Sequence, residues 1–170
     1  MAGARPPRQV RAPVIADAGP LIALAKVGRL GLMKRLFTRV FTTVEVVAEL
    51  GLTDQAAGAA AIVQAFDTGW LATLAQHPLD VAHPFLDAGE ASCIAAAGRH
   101  GAALLVIDER LGRREARRLG IALTGTAGLL CAAKSRGLIK AVVPALEEMR
   151  SAGYFLDNNV IEAARIEADE

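Results

Sequence analysis

Aromatic side chains are scarce in this chain, at 4% of its 170 residues. A core built almost without them must come from Ala, Leu, Val and Ile, which suits helices packed closely on a parallel sheet and argues against aromatic base-stacking platforms. Charge of one sign is also lacking: the formal net charge is +1, so no global field marks a nucleic-acid binder. There are only two cysteines. Cys93 and Cys131 lie in apolar, helix-like segments without a CxxC spacing, and read as free thiols in a reducing compartment. No apolar run reaches the length of a membrane span. Residues 1–12 carry Arg5, Arg8, Arg11, Pro6 and Pro7 with no apolar h-region behind them, which reads against a signal peptide. They are expected to form a flexible basic arm, and a cytoplasmic location is the default.

Apolar residues, by contrast, make up 53% of the chain, which excludes general disorder. Residues 13–170 are long enough for a single domain with a full core, and contain no linker or repeat. Strand-like runs alternate with helical patterns, the signature of right-handed βαβ units on a parallel sheet. Strands are expected at Pro13–Ala16, Arg39–Thr42, Leu71–Leu74, Ala103–Ile107 and Ile121–Leu123. Helices are expected from Gly19-Pro20 to Ala25, and at Leu30–Phe37, Val44–Leu50, Asp54–Asp67, Asp87–Arg99, Glu109–Leu119, Thr124–Arg136, Pro144–Ser151 and Asp157–Ile166. Thr42 or Thr43 should cap the third helix, Asp87 the fifth, and Thr124 or Thr126 the seventh. His77-Pro78 and His83-Pro84 fit no metal-ligand template and read as an ordinary loop.

Two aspartates stand where a strand ends and a helix begins: Asp17 after Val14-Ile15-Ala16, and Asp108 after Leu104-Leu105-Val106-Ile107. In open α/β sheets ligands bind outside the carboxyl ends of the strands. Like charges about 4 Å apart cost roughly 1 kcal/mol in water and about 4 kcal/mol at an effective dielectric of 20, so a divalent metal is the simplest compensating partner. Glu49, on an otherwise apolar helix, and Glu90, at the head of a helix too apolar to be solvated, can reach the same rim. Each acid has a plainer explanation as a helix cap or a solvated charge, but four caps at once is the less economical account. Glu109 follows Asp108 directly and should point elsewhere.

The stretch Val14–Leu30, with Asp17-Ala18-Gly19-Pro20-Leu21-Ile22 inside it, resembles the opening of the PIN-domain nucleases, and more closely a VapC-like branch of them. The similarity continues through Val46–Leu50 (Val-x-x-Glu-Leu), Gly89–Ile94 (Gly-Glu-x-x-x-Ile), Ile107–Ala116 (Ile-Asp-Glu-x-x-Gly-Arg-x-x-Ala) and Thr124–Leu130 (Thr-Gly-Thr-x-Gly-Leu-Leu). It implies a three-layer α/β/α sandwich with a central, mostly parallel five-stranded sheet. It also implies a metal-dependent ribonuclease site made of Asp17, Glu49, Glu90 and Asp108, and often the toxin half of a toxin–antitoxin pair. The implied cofactor is Mg²⁺ or Mn²⁺; the implied partners are RNA, an antitoxin and a second copy of the chain, with the helices after Pro144 as dimer surfaces. Ala18-Gly19 stands where such nucleases often carry Ser or Thr.

Phosphodiester hydrolysis needs charge neutralisation at the phosphate and an activated water, which one or two hard cations on carboxylates provide. Asp17 and Asp108 are the expected direct ligands, with Glu49 completing their site and Glu90 serving a second one. Fifteen of the nineteen basic residues are arginine, and Arg110, Arg113, Arg114, Arg117 and Arg118 crowd the segment after Asp108. Arg110, Arg113 and Arg114 are the candidates for holding RNA phosphates; the alternative is a solvated face on which Glu115 pairs with Arg118. Competing functions are a non-catalytic PIN-like module binding RNA or protein, and a phosphatase- or receiver-like domain, which the absence of a lysine near the rim disfavours.

Overall fold

The computed structural model describes residues 12–53, 56–75 and 84–170. His77, His83 and all of the basic arm except Ala12 lie outside them. Five short strands, β1 (Val14–Ala16), β2 (Val40–Thr42), β3 (Leu71–Thr73), β4 (Leu104–Val106) and β5 (Leu123–Thr124), form one sheet in the order β3-β2-β1-β4-β5. Every pairing is parallel, with Ile15 beside Leu105 and Ala16 beside Val106 at the centre. Ile15, Ala16, Leu105, Val106 and Ile107 are fully buried, as expected of central parallel strands covered on both faces.

Nine helices among the described residues complete the fold: α1 (Ala18–Lys26), α2 (Gly31–Phe37), α3 (Val44–Glu49), α4 (Ala59–Asp67), α5 (Ala88–His100), α6 (Arg110–Arg118), α7 (Thr126–Ser135), α8 (Val143–Ser151) and α9 (Asn158–Glu167). Helix α5 lies across β1 and β4, with α3 and α6 against it. Its run of Ala, Gly, Ser and Cys brings the helix backbone close to the strands. On α1 converge α4, α7 and α8, while α9 packs on α7 and α8. The result is the expected α/β/α sandwich. Its core is aliphatic, with Met33 and Met149 fully buried in it and both cysteines buried as free thiols.

Several boundaries differ from the sequence expectation for identifiable reasons. Helix α4 is expected from Asp54, which lies outside the described residues; it begins at Ala59, because Gly58 takes a left-handed conformation (φ +85°) against α1, where a Cβ would stand 2.7 Å from the Ala25 carbonyl carbon. Strand β5 is displaced towards Thr124. The Ile121 N–H turns back to the Ala116 carbonyl to close α6, and the ladder instead uses the carbonyls of Ala122 and Thr124. That leaves Thr124 in the sheet and starts α7 at Thr126. Thr43, rather than Thr42, caps α3 through the Val46 N–H, and Asp87 caps α5 through the Glu90 N–H at 2.8 Å. Thr42 is occupied elsewhere: its hydroxyl donates to the Ala16 carbonyl at 2.8 Å and ties the end of β2 to the end of β1.

From β1 the chain builds outward through β2 and β3, then crosses back to place β4 on the other side of β1. The crevice at the carboxyl ends of β1 and β4 is therefore the topological switch point, where open parallel sheets bind their ligands.

Candidate active site

Asp17 and Asp108 stand on the two sides of that switch point. Asp17 directly follows β1, and its N–H extends the sheet by donating to the Val106 carbonyl at 3.0 Å. Its backbone is extended in the N-cap position of α1, yet its side chain makes no capping hydrogen bond. The residue is 6% exposed, and its buried Oδ1 has no hydrogen-bond partner among the described residues. An unsatisfied buried carboxylate oxygen costs about 1–3 kcal/mol or more. Burial, followed by the charges of Asp87, Glu49 and Asp108, pushes the pKa of Asp17 up to about 6, although the Ala18 N–H pulls the other way.

Asp108 has the opposite surroundings. Oδ1 accepts from the Thr126 N–H at 2.7 Å, and Oδ2 accepts from the Thr126 hydroxyl and the Tyr154 hydroxyl, both at 2.6 Å. Asp108 thus caps α7, a helix 18 positions downstream, rather than the adjacent α6. Thr126 supports the acid instead of capping its own helix; the N-cap position of α7 is Gly125. Burial and the Asp108 charge push the Tyr154 hydroxyl well above its ordinary range, so it remains a donor.

Glu90 is 5% exposed at the head of α5, and burial first, then Asp87 and Asp17, push it up to about 7. Glu49 is exposed at the end of α3, with Oε1 accepting from the Gly89 N–H at 2.7 Å. Partial desolvation raises it, the Gly89 N–H lowers it and Asp87 raises it again. A Cβ at Gly89 would lie 2.5 Å from Glu49 Oε2, so a side chain there would push the Glu49 carboxylate off the Gly89 N–H.

All four acids line one cleft of about 770 Å³ together with Asp87, Glu109, Arg110, Arg113, Arg117 and the segment from Tyr154 to Val160. Glu109 therefore faces the cleft, contrary to expectation: it occupies the N-cap position of α6 in an extended conformation, before the helical rotation begins. Among the described residues, no three acidic, thiol or imidazole groups are disposed to hold one ion. The carboxylates share a cleft without converging on a point.

Arg113 is half-buried and donates to the Ile107 carbonyl at 2.8 Å, fixing the strand end from which Asp108 projects. Arg110, Arg113 and Arg117 repeat at helical spacing on the cleft side of α6, so Arg117 replaces Arg114 in the lining. Arg118 pairs with Glu115 at 2.7 Å, an exposed pair of little energetic weight. Gly125 lies against both Asp108 and Arg113: a Cβ would be 2.6 Å from Asp108 Oδ1 and 2.8 Å from the Arg113 Nη1. Gly125→Ala is accordingly expected to displace the acid, destabilise the protein by about 1–3 kcal/mol and reduce any nuclease activity at least tenfold; thermal melting and an RNA-cleavage assay check both effects.

Sequence reasoning missed Tyr154 and Asp87 as cleft residues. Tyr154 lies in the turn between α8 and α9, where no periodicity marks it, while Asp87 carried a signal only as a cap. No curated protein and no solved structure matches the chain. A family model described as a PIN domain matches residues 13–170. With that match spanning most of its length, and with four acids on the rim of a five-stranded parallel sheet, the chain belongs to the PIN-domain family, whose members are generally nucleases.

Proposed function

We propose that this protein is a divalent-metal-dependent endoribonuclease, with Asp17, Glu49, Glu90 and Asp108 as its catalytic carboxylates. The observation that carries the proposal is the Asp17 carboxylate, buried at the switch point with one oxygen unpartnered and like charges around it. Such an arrangement is unfavourable until a cation offsets it. The donor set is all oxygen, which fits Mg²⁺ or Mn²⁺. The spread of the carboxylates also fits Mg²⁺, which keeps several waters and needs only one or two direct carboxylates.

When bound, a divalent cation supplies the positive charge that phosphodiester hydrolysis requires at the phosphate and its attacking water. The chain's own groups do the rest. Asp17 offers an unused oxygen from a position locked to the sheet. Thr126 and Tyr154 hold Asp108 in one orientation and leave little freedom to lose on binding. Glu49 and Glu90 accept protons from, or orient, water entering the cleft, and Arg110 and Arg117 attract the RNA backbone. The missing Ser or Thr after Asp17 has a counterpart in Tyr154, whose hydroxyl oxygen lies 3.3 Å from where a Cβ on Gly19 would stand.

The test is cleavage of mixed RNAs in Mn²⁺ or Mg²⁺. Fragments should appear with either ion, vanish with EDTA and return on adding the ion back. RNA left intact under all conditions would overturn the ribonuclease assignment. We further propose a toxin role, with an antitoxin covering the cleft and a homodimer formed through the helices after Pro144; the adjacent reading frame and solution mass test these. The separation of the carboxylates is the one observation favouring the alternative, a non-catalytic module, which would bind RNA or protein without cutting RNA.

A further inference from the structure

The turn joining α8 to α9 presents Tyr154, Phe155 and Leu156 to the acidic cleft. Tyr154 and Leu156 are half-buried, whereas Phe155 between them is 88% exposed. The turn is held at both ends. The Tyr154 N–H donates to the Met149 carbonyl at 3.0 Å and its hydroxyl to Asp108, while Asp157 accepts from the Asn159 N–H at 2.8 Å to start α9. The ring is therefore held out into water from an anchored backbone. Among the described residues of a chain so poor in aromatics, the most exposed large apolar side chain lines this acidic cleft.

What covers the ring must suit its surroundings. Phe155 and the half-exposed Val160 are the only large apolar side chains standing open in the cleft lining among the described residues, the rest of which is largely acids and arginines. Two apolar side chains make a small patch beside the roughly 800 Å² of total surface per partner that a stable protein interface buries. A nucleobase matches it: one flat apolar face with a phosphate within reach of a cation. Arg110, Arg113 and Arg117 supply the cations. Tyr154, next to Phe155 in the chain, holds Asp108 at Oδ2, and Arg113 stands near Oδ1, so the residue beside the ring and one of the arginines flank the same acid.

Building on the ribonuclease proposal, we infer that Phe155 is a stacking platform for one unpaired base of the RNA. Inside a duplex both faces of a base are already stacked, and only a single strand can offer one. A platform at Phe155 runs against the sequence expectation, which argues against aromatic base-stacking platforms.

The experiment measures binding of labelled single-stranded and duplex RNA in EDTA, in the Asp17→Asn background so that substrate survives. A strand carrying 2-aminopurine reports stacking by quenching. Phe155→Ala should weaken single-strand binding on the order of 10-fold, within the range that base–aromatic stacking is worth, and abolish the quenching; Phe155→Trp should restore both. The salt dependence should be unchanged in Phe155→Ala, whereas Arg117→Gln should lower its slope by about one. Unchanged single-strand affinity in Phe155→Ala overturns the inference, including the case in which only binding of a protein partner is lost. So does equal binding of duplex and single strand. Phe155-dependent RNA binding by a protein that never cleaves would overturn the ribonuclease proposal alone.

Discussion

Asp17→Asn is expected to abolish RNA cleavage and, in the absence of metal, to make the protein more stable. Losing a carboxylate that offsets cationic charge in the transition state removes several kcal/mol, and about 3–4 kcal/mol corresponds to a rate loss of roughly 100- to 1,000-fold. The stability change has the opposite sign. Raising the pKa of Asp17 from 3.8 to about 6 means that its charge costs the fold about 3 kcal/mol at neutral pH, at roughly 1.4 kcal/mol per pKa unit. The amide keeps the shape and removes the charge but brings a donor of its own, so the net gain should be about 1–3 kcal/mol, or several degrees in melting temperature. Melting in EDTA and a cleavage time course on the same preparation measure both. A variant that is inactive but less stable than the parent would mean that Asp17 serves the fold rather than a cation.

A pH dependence follows from the same buried charges, again with metal removed. Asp17 and Glu90 have folded-state pKa values raised to about 6 and about 7, above their ordinary 3.8 and 4.5. Folding therefore favours their protonated forms. Their contribution is most favourable below about pH 4 and is lost as pH rises through 6 and 7, by about 3 kcal/mol for each taken singly. The two couple, so the sum is not additive. Glu170 works in reverse. Its hydrogen bonds to Lys134 and to the Val142 and Val143 N–H groups pull it down to about 2, so its contribution is present above pH 4.5 and lost in stronger acid. Metal-free protein should thus be most stable near pH 4 and weaken towards pH 7, contrary to the usual loss of stability in acid. Adding Mn²⁺ should flatten the neutral and alkaline side by stabilising the charged acids. Urea unfolding at pH 5, 6.5 and 8, with EDTA or Mn²⁺, measures it; a metal-free curve rising from pH 5 to 8 would remove the buried-charge account of the cleft.

The parts of this molecule legible from sequence are those that local pattern controls. Val14–Ala16 and Leu104–Val106 are apolar because both faces are covered, and the acids that follow them stand on the rim because strand ends define it. Helix boundaries failed where a long-range contact decided them. Gly58 stops α4 because α1 is in the way, and Ile121 is taken from β5 by a bond back to α6. Within the cleft, the acids could be placed because their neighbours in sequence place them. The support of Asp108 could not, since Thr126 and Tyr154 reach it from 18 and 46 positions away. Arg114 and Arg117 were interchanged for a simpler reason: which arginines face the cleft depends on the rotational start of α6, and Glu109 lies just outside it.

The Tyr154 hydroxyl bond to Asp108 also has an optical consequence. Tyr154 is the sole tyrosine and Trp70 the sole tryptophan. A phenol that donates to a carboxylate loses its excited-state proton readily and emits weakly. Once Trp70 is replaced by phenylalanine, the remaining ultraviolet emission above that of phenylalanine comes from one residue touching one acid of the cleft. The arrival of a cation at Asp108, or its failure to arrive, can be followed by brightening of that single fluorophore without any label.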